Sequence, residues 1–218
     1  MANPPPSYLK ESLIKLSQET RLHRCPNPLI GLTGGIATGK STVTHLFKER
    51  GLWPICADQL IHQIYREEAT LNKVSSLCPQ AIQSQGTIDF KVLRTSFFNS
   101  PEIKKELESF LYARLPMVFK EALPSDTKQV VVYDVPLLFE KQMESQFDLT
   151  IVVYTSEQTQ LERLSLRDGT DLDTHKKIIQ AQWPLSKKKE LAHYSIENNK
   201  GPDQLRKRAF ELLDQILQ

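Results

Sequence analysis

Residues 29–41 read LIGLTGGIATGKS, and this stretch determines the fold class. Its first five residues form a short apolar run that ends beside glycines, which predicts a buried parallel strand. A helix is expected directly after it, over about 40–50. Strands that alternate with helices predict a parallel sheet with right-handed crossovers. Further strands are predicted at 52–57, 130–133, 149–154 and 195–197.

The same patterns predict the helices. Residues 59–123 are expected to be mostly helical, with a turn near Gly86. A further helix is predicted over about 156–167, and two short helical pieces follow it to about residue 191. The apolar positions between 205 and 217 recur at helical spacing, which predicts an amphipathic C-terminal helix.

Composition restricts the class of protein. The chain has 218 residues, 39% of them hydrophobic and 25% charged, with a net charge of +2. This charge is too small to predict a nucleic-acid partner. No apolar run approaches the roughly 20 residues of a membrane span, so no membrane is expected. Three cysteines at wide spacing predict neither a disulfide framework nor a zinc site, which favours the cytoplasm. No obligatory protein partner is predicted.

Residues 1–28 are expected to form an N-terminal extension outside the core. Leucines and an isoleucine between residues 9 and 16 recur at helical spacing, which predicts a short amphipathic helix. Pro26 and Pro28 end it. We favour a helix that packs on the protein's own surface, and the alternative is a segment that docks a partner.

Residues 34–41 match the pattern G-x-x-x-x-G-K-[ST] of a phosphate-binding loop between a strand and a helix. Glycines let the backbone N–H groups turn around phosphate oxygens, and the helix directs its positive end at the anion. Lys40 is expected to reach the β- and γ-phosphates of ATP, and the Ser41 hydroxyl to bind Mg²⁺. The residues predicted to bind the nucleotide here are Gly35, Ile36, Ala37, Thr38, Gly39, Lys40, Ser41 and Thr42.

Four blocks resemble the dephospho-CoA kinase family. The phosphate loop and its lead from residue 31 to residue 43 resemble that of the family. Ala57-Asp58 looks like the end of its D-A-D element. Residues 134–140, DVPLLFE, are similar to its P-L-L-F-E block. Residues 160–168, QLERLSLRD, resemble its Q-L-x-R-L…R-D element, and Gln182 fits a glutamine farther along.

The resemblance spans about residues 29–217 and implies an activity. Members transfer the γ-phosphoryl group of ATP, with Mg²⁺, to the 3′-hydroxyl of dephospho-CoA. The implied fold is α/β: a three-layer P-loop nucleotide kinase core with a parallel sheet. The implied organisation is a kinase-like domain over 29–218, with a helical substrate-binding insertion at about 59–125 and a lid at about 168–190.

Two carboxylates follow predicted strands, at the sheet edge where such folds bind ligands. Asp58 is expected to orient or deprotonate the acceptor hydroxyl, and the alternative is a helix cap. Asp134 is expected to hold Mg²⁺ or its waters, together with Ser41; the alternative is a solvated strand end. Glu140 is expected to contact the acceptor or a basic lid residue, or else to be a surface charge.

Arg163 and Arg167 lie four residues apart and therefore share one face of a helix. The resemblance implies that both act in catalysis by facing the transferring phosphoryl group. Surface ion pairs with their sequence neighbours are the alternative. Near the C-terminus, residues 196–201 look like the family's I-x-N-x-G element with one residue more, which implies that Asn198 contributes to nucleotide binding. The run Lys187-Lys188-Lys189 is more typical of a solvated helix face.

The sequence departs from the family in two places, and alternatives remain open. Cys56 stands where the D-A-D element has its first aspartate. The histidine of an H-P pair is replaced, either by Tyr112 by spacing or by Leu115 next to Pro116. The chain is therefore predicted to be a dephospho-CoA kinase. Another P-loop kinase of a nucleoside or nucleotide is one alternative, and a regulatory module that binds nucleotide is the other.

Overall fold

The computed structural model describes residues 4–168 and 171–218. Five parallel strands form one sheet in the order β2-β3-β1-β4-β5. The α/β fold class and the predicted strands are therefore confirmed. The strands are β1 Leu29–Gly34, β2 Trp53–Cys56, β3 Val131–Asp134, β4 Leu149–Tyr154 and β5 Tyr194–Glu197.

The helices of the described residues follow the strands as predicted, apart from small shifts at their ends. They are α1 Lys40–Glu49, α2 Ala57–Ile64, α3 Glu68–Leu77, α4 Phe90–Asn99, α5 Pro101–Glu121, α6 Glu157–Asp168, α7 Leu172–Gln180, α8 Leu185–Leu191 and α9 Pro202–Ile216. None of them is both long and apolar enough to cross a membrane.

The central strand β1 is buried along its whole length and pairs with β3 on one side and with β4 on the other. Its register sets Leu32 opposite Asp134, and Gly34 opposite Val153. Helices α1 and α9 pack on one face of the sheet, where their apolar side chains join one buried core with those of the strands. Parallel pairing therefore brings the end of β1 and the end of β3 to the same edge.

The chain divides into two compact units. Residues 57–122 form one unit, which contains α2 to α5, and the remaining described residues form the other. Within the smaller unit, an isolated bridge pairs Ile82 with Ile88 around the turn at Gly86, where φ is +76°. Leu107, Leu111 and Leu115 of α5 are buried in this unit, which gives α5 one apolar face.

The N-terminal segment does not form the predicted amphipathic helix. Among its described residues only two single 3-10 turns occur, at Glu11–Leu13 and Leu22–Arg24. Leu9 is instead buried and forms a bridge with Leu217. Short isolated helices are marginal in water, and here the backbone finds partners far away in sequence. The segment packs on its own domain, which was the favoured alternative for its location.

Asp148 holds this segment to the sheet. Its buried carboxylate accepts bonds from the Arg21 guanidinium, with an Nε–Oδ2 distance of 2.7 Å. It also accepts from three backbone N–H groups, those of Lys15 and Leu16 at 3.0 Å and that of Leu29 at 2.9 Å. One carboxylate therefore joins the N-terminal segment to the starts of β1 and β4.

Candidate active site

The phosphate loop lies between the end of β1 and the start of α1. Thr38 closes it, because its hydroxyl donates to the Gly35 carbonyl at 2.9 Å. Two loop residues have positive φ, Ala37 at 58° and Gly39 at 90°. A left-handed alanine is uncommon and costs free energy, so the surrounding contacts must hold it. Ser41 and Thr42 lie in the exposed first turn of α1.

Two glutamines hold the Ile36 backbone from outside the loop. Gln160 of α6 donates from Nε2 to the Ile36 carbonyl at 2.7 Å. The Ile36 N–H donates to Oε1 of Gln182 at 3.0 Å. Gln160 is almost completely buried. Both glutamines stood in the blocks that resemble the family, but no role was predicted for either of them.

Arg163 and Asn198 hold the next two residues of the loop. Arg163 donates to the Ala37 carbonyl at 3.1 Å and to the Asn198 carbonyl at 3.0 Å. The buried Asn198 amide donates to the Thr38 carbonyl at 2.8 Å. Because Arg163 and Asn198 bind these carbonyls on the outer side of the loop, backbone N–H groups can face the opposite side, where an anion binds. Arg163 thus contacts loop backbone, while Arg167 lies one turn farther along α6 and is exposed.

Lys40 and Asp134 meet at the edge of the sheet. The Lys40 ammonium forms an ion pair with Oδ1 of Asp134, and the Thr44 hydroxyl donates to Oδ2 at 3.2 Å. Asp134 is only 4% exposed, so the alternative of a solvated strand end is wrong. Cys56, at the end of β2, is the residue opposite Asp134 in the β2–β3 pairing. Lys40, which was predicted to bind phosphate, thus contacts Asp134, which was predicted to bind Mg²⁺.

The side-chain oxygen atoms of Ser41 and Asp134 are suited to binding Mg²⁺. The Ser41 hydroxyl and the Asp134 carboxylate are the hard ligands that Mg²⁺ prefers. Among the residues that the structure describes, no group of three or more His, Cys, Asp or Glu side chains gathers as a metal site. A magnesium site of the phosphate-loop type does not need such a group, because nucleotide phosphates and water supply the other ligands.

Lys188 is buried, so the expectation of a solvated face is wrong for this lysine. Its ammonium lies 2.7 Å from Oε1 of Glu140 and 3.0 Å from the Pro136 carbonyl. The Gly34 carbonyl, at the start of the phosphate loop, lies 3.5 Å away. Of the alternatives for Glu140, the contact with a basic residue of the predicted lid is the one in the structure. Lys187 and Lys189 are exposed.

In the unit formed by residues 57–122, Asp58 is exposed in the first turn of α2. The two candidate positions for the missing histidine, both in that unit, differ in solvent exposure. Tyr112 is 48% exposed, whereas Leu115 is 9% exposed. An acceptor contact needs an accessible side chain, so the alignment by spacing, at Tyr112, is the better match.

A family model described as dephospho-CoA kinase matches residues 28–204. The chain belongs to the dephospho-CoA kinase family. It is therefore a kinase, and the phosphate loop, Asp58, Asp134, Arg163 and Asn198 all lie in the matched range. The N-terminal segment up to residue 27 lies outside it.

Individual relatives agree with the family match. The chain is similar to the dephospho-CoA kinase of Geobacillus kaustophilus, with 37% identity over 191 residues, which cover 85% of this chain and 95% of the relative. A crystal structure of the protein TT1252 from Thermus thermophilus is similar at a TM-score of 0.78 and 28% identity, covering 87% and 97% of the two chains. The structure of the dephospho-CoA kinase from Campylobacter jejuni is similar at a TM-score of 0.64 and 26% identity, covering 86% of this chain and 96% of that one.

Replacing Gly39 with alanine is expected to lower the free energy of unfolding by about 1–3 kcal/mol and to weaken ADP binding. The substitution forces a side chain into a left-handed backbone at φ +90°, and its Cβ would collide with the Asn198 amide. Gly86→Ala is the matched control, because its φ is +76° but nothing lies within 4 Å. Urea unfolding and ADP titration measure both effects. Equal losses of stability in the two variants, with unchanged ADP affinity, would remove the role given to the Asn198 contact.

Proposed function

We propose that this chain transfers the γ-phosphoryl group of ATP to the 3′-hydroxyl of dephospho-CoA, giving coenzyme A and ADP in the last step of coenzyme A biosynthesis. One observation carries the proposal: the phosphate-loop lysine Lys40 contacts Asp134 at the carboxyl edge of the sheet. The family match supports the choice of acceptor.

The phosphate loop binds ATP in the proposed reaction. Backbone N–H groups of the loop surround the phosphates, and that of Ile36 joins them only if Gln182 releases it. Lys40 leaves Asp134 to bind the β- and γ-phosphates. The Asp134 carboxylate and the Ser41 hydroxyl would then hold Mg²⁺. Held there, Mg²⁺ would supply neutralisation of charge on the phosphate oxygens. Asn198 supports nucleotide binding through its bond to the Thr38 carbonyl.

Asp58 is the proposed general base. Its carboxylate takes the proton of the 3′-hydroxyl as that oxygen forms a bond to the γ-phosphorus. The bond from the γ-phosphorus to the β,γ-bridging oxygen breaks, and ADP leaves with its electron pair. Arg163 and Arg167 stabilise charge on the equatorial oxygens, where a well-placed arginine contributes roughly 10³–10⁵-fold in some kinases and GTPases. For Arg163 this requires release from the Ala37 carbonyl.

Two further parts of the chain have proposed roles. The unit of residues 57–122 contributes acceptor binding, within the substrate-binding part predicted at about 59–125. Residues of about 168–190 act as a lid that excludes water, which would otherwise accept the phosphoryl group. We place the reaction in the cytoplasm, where Cys25, Cys56 and Cys78 stay free thiols. Burial raises the pKa of the Cys25 thiol to about 11, which keeps it protonated.

The direct test incubates the purified protein with ATP and Mg²⁺, with and without dephospho-CoA, and follows ADP and coenzyme A by mass. The proposal expects the two products to rise together, and only when dephospho-CoA is present. ADP formation with a nucleoside or nucleotide in place of dephospho-CoA would support another small-molecule kinase. Nucleotide binding without any transfer would support a regulatory module.

Replacing Asp58 with asparagine is expected to lower kcat about 10²–10⁴-fold, the usual contribution of a general base. ADP affinity should stay at the wild-type value, because the variant removes only the proton acceptor. Glu68→Gln is the matched control, since it removes an exposed carboxylate from the first turn of α3 in the same unit. Normal turnover by the Asp58 variant would rule out the proposed base.

A further inference from the structure

Lys188 presents three donors to three acceptors on two other segments of the chain. Its side chain is 0% exposed, so these contacts replace all of its hydration. An ammonium group has three N–H donors, and its contacts are the Glu140 carboxylate, the Pro136 carbonyl and the Gly34 carbonyl. The number of acceptors therefore matches the number of donors.

These acceptors belong to the two segments that carry the predicted metal ligands. Gly34 is the last residue of β1 and the first residue of the phosphate loop that leads to Ser41. Pro136 and Glu140 follow Asp134, the last residue of β3. The Thr33 hydroxyl, which donates to the Pro136 carbonyl at 3.1 Å, makes a second link between these segments. One ammonium thus connects the start of the phosphate loop to the chain beyond Asp134.

The segment that carries Lys188 is itself fixed at its other end. The Trp183 N–H donates to Oε1 of Glu140 at 3.0 Å, the oxygen that also contacts Lys188. The neighbouring Gln182 accepts from the Ile36 N–H in the loop. Residues 182–188 therefore contact both the phosphate loop and the segment after β3. A lysine on this segment is placed to hold the two at a fixed separation.

Stability alone does not account for this charge. Removing an ammonium and a carboxylate from water is costly, and well-packed apolar residues in their place often give equal or greater stability. We propose that Lys188 is a positioning residue for phosphoryl transfer: it sets the separation between the phosphate loop and Asp134, and so aligns the Ser41 and Asp134 oxygens for Mg²⁺. The inference rests on the proposed use of Mg²⁺ and ATP by this site.

The decisive variant removes both charges, Lys188→Met with Glu140→Gln. It leaves no unpaired buried charge, and the glutamine oxygen still accepts from the Trp183 N–H. We expect the variant to fold and to bind ADP without Mg²⁺ at the wild-type affinity. The Mg²⁺ concentration for half-maximal turnover should rise, and kcat should fall. We expect activity to fall by about 10–100-fold, which is the usual loss when a residue that supports a metal ligand is replaced. Lys128→Met, which removes an exposed charge outside the predicted lid, should behave as wild type.

A purely structural role would lower the melting temperature and the active fraction, but it would not shift the Mg²⁺ requirement. A folded double variant with wild-type kcat and wild-type Mg²⁺ dependence overturns the inference. If the double variant does not fold, Glu140→Gln alone tests it, because all heavy-atom positions are kept. About fivefold more Mg²⁺ at half-maximal effect is then expected, and an unchanged requirement overturns the inference.

The test does not depend on the acceptor. Calorimetric titration of ADP at increasing Mg²⁺ measures the metal requirement in the absence of turnover. If the wild-type protein formed no coenzyme A, the proposed acceptor would be wrong. The Mg²⁺-dependent increase in ADP affinity would still separate the double variant from wild type if Lys188 positions the metal ligands, and its equality in both proteins would overturn the inference.

Discussion

Replacing Lys40 with methionine is expected to lower the rate of coenzyme A formation about 10³-fold. The lysine is the residue of the phosphate loop that is predicted to bind the β- and γ-phosphates with its positive charge. The same change leaves the Asp134 carboxylate buried, with the Thr44 hydroxyl as its remaining side-chain donor among the described residues. We therefore also expect the free energy of unfolding to fall by about 3 kcal/mol.

A double variant separates these two effects. Lys40→Met with Asp134→Asn removes the unpaired charge, so most of the stability should return while activity stays low. Urea unfolding and the coenzyme A assay measure the two quantities on the same samples. Lys48→Met, at an exposed position of the same helix, controls for the loss of a charge. Substantial turnover by Lys40→Met would contradict the assignment of this loop as the phosphate site.

Replacing Arg21 with methionine is expected to lower the free energy of unfolding by about 3–5 kcal/mol. The side chains of Arg21 and Asp148 are 6% and 0% exposed, so the change leaves a buried carboxylate without its cation. The backbone N–H groups of Lys15, Leu16 and Leu29 still donate to it, but they carry no full charge. Denaturation in urea gives the difference directly.

Arg24→Met is the control for this change, because Arg24 is exposed and lies in the same segment. Its stability should match that of the wild type. Turnover per folded molecule should be unchanged in both variants, because Asp148 precedes β4 and the phosphate loop follows the other end of β1. A loss below about 1 kcal/mol for Arg21→Met would place the pair among weak surface ion pairs.

Structure could be predicted from the sequence where the pattern that indicates it lies within a short stretch of the chain. The apolar run before Gly34 and the loop that follows it are contiguous, so strand, loop and helix could all be predicted from residues 29–50. The position of Asp134 followed from one rule, that parallel strands end at the same edge of a sheet. Its contact with Lys40 was not predicted. The assignment of Asp58 as the base stays a prediction.

Contacts between distant residues could not be predicted in this way. Lys188 stood in a run of three lysines, which predicted a solvated face. In the structure its neighbours on both sides are exposed, but Lys188 is buried. Its acceptors lie 52 and 154 positions away at Pro136 and Gly34. The leucine spacing before residue 16 failed for a similar reason, because Leu9 packs against Leu217 instead of forming a helix.

The pairing of Leu9 with Leu217 has a consequence for synthesis on the ribosome. The Lys10 N–H donates to the Ile216 carbonyl, and the Gln218 N–H to the Tyr8 carbonyl. Residues made early therefore receive these partners from residues that follow 209 positions later, as between Leu9 and Gln218. Contacts this distant in sequence form late, because a long loop must close first. Leu9 stays uncovered by Leu217 until residue 217 has left the ribosome, so chaperone binding to nascent chains should concentrate on the segment around Leu9.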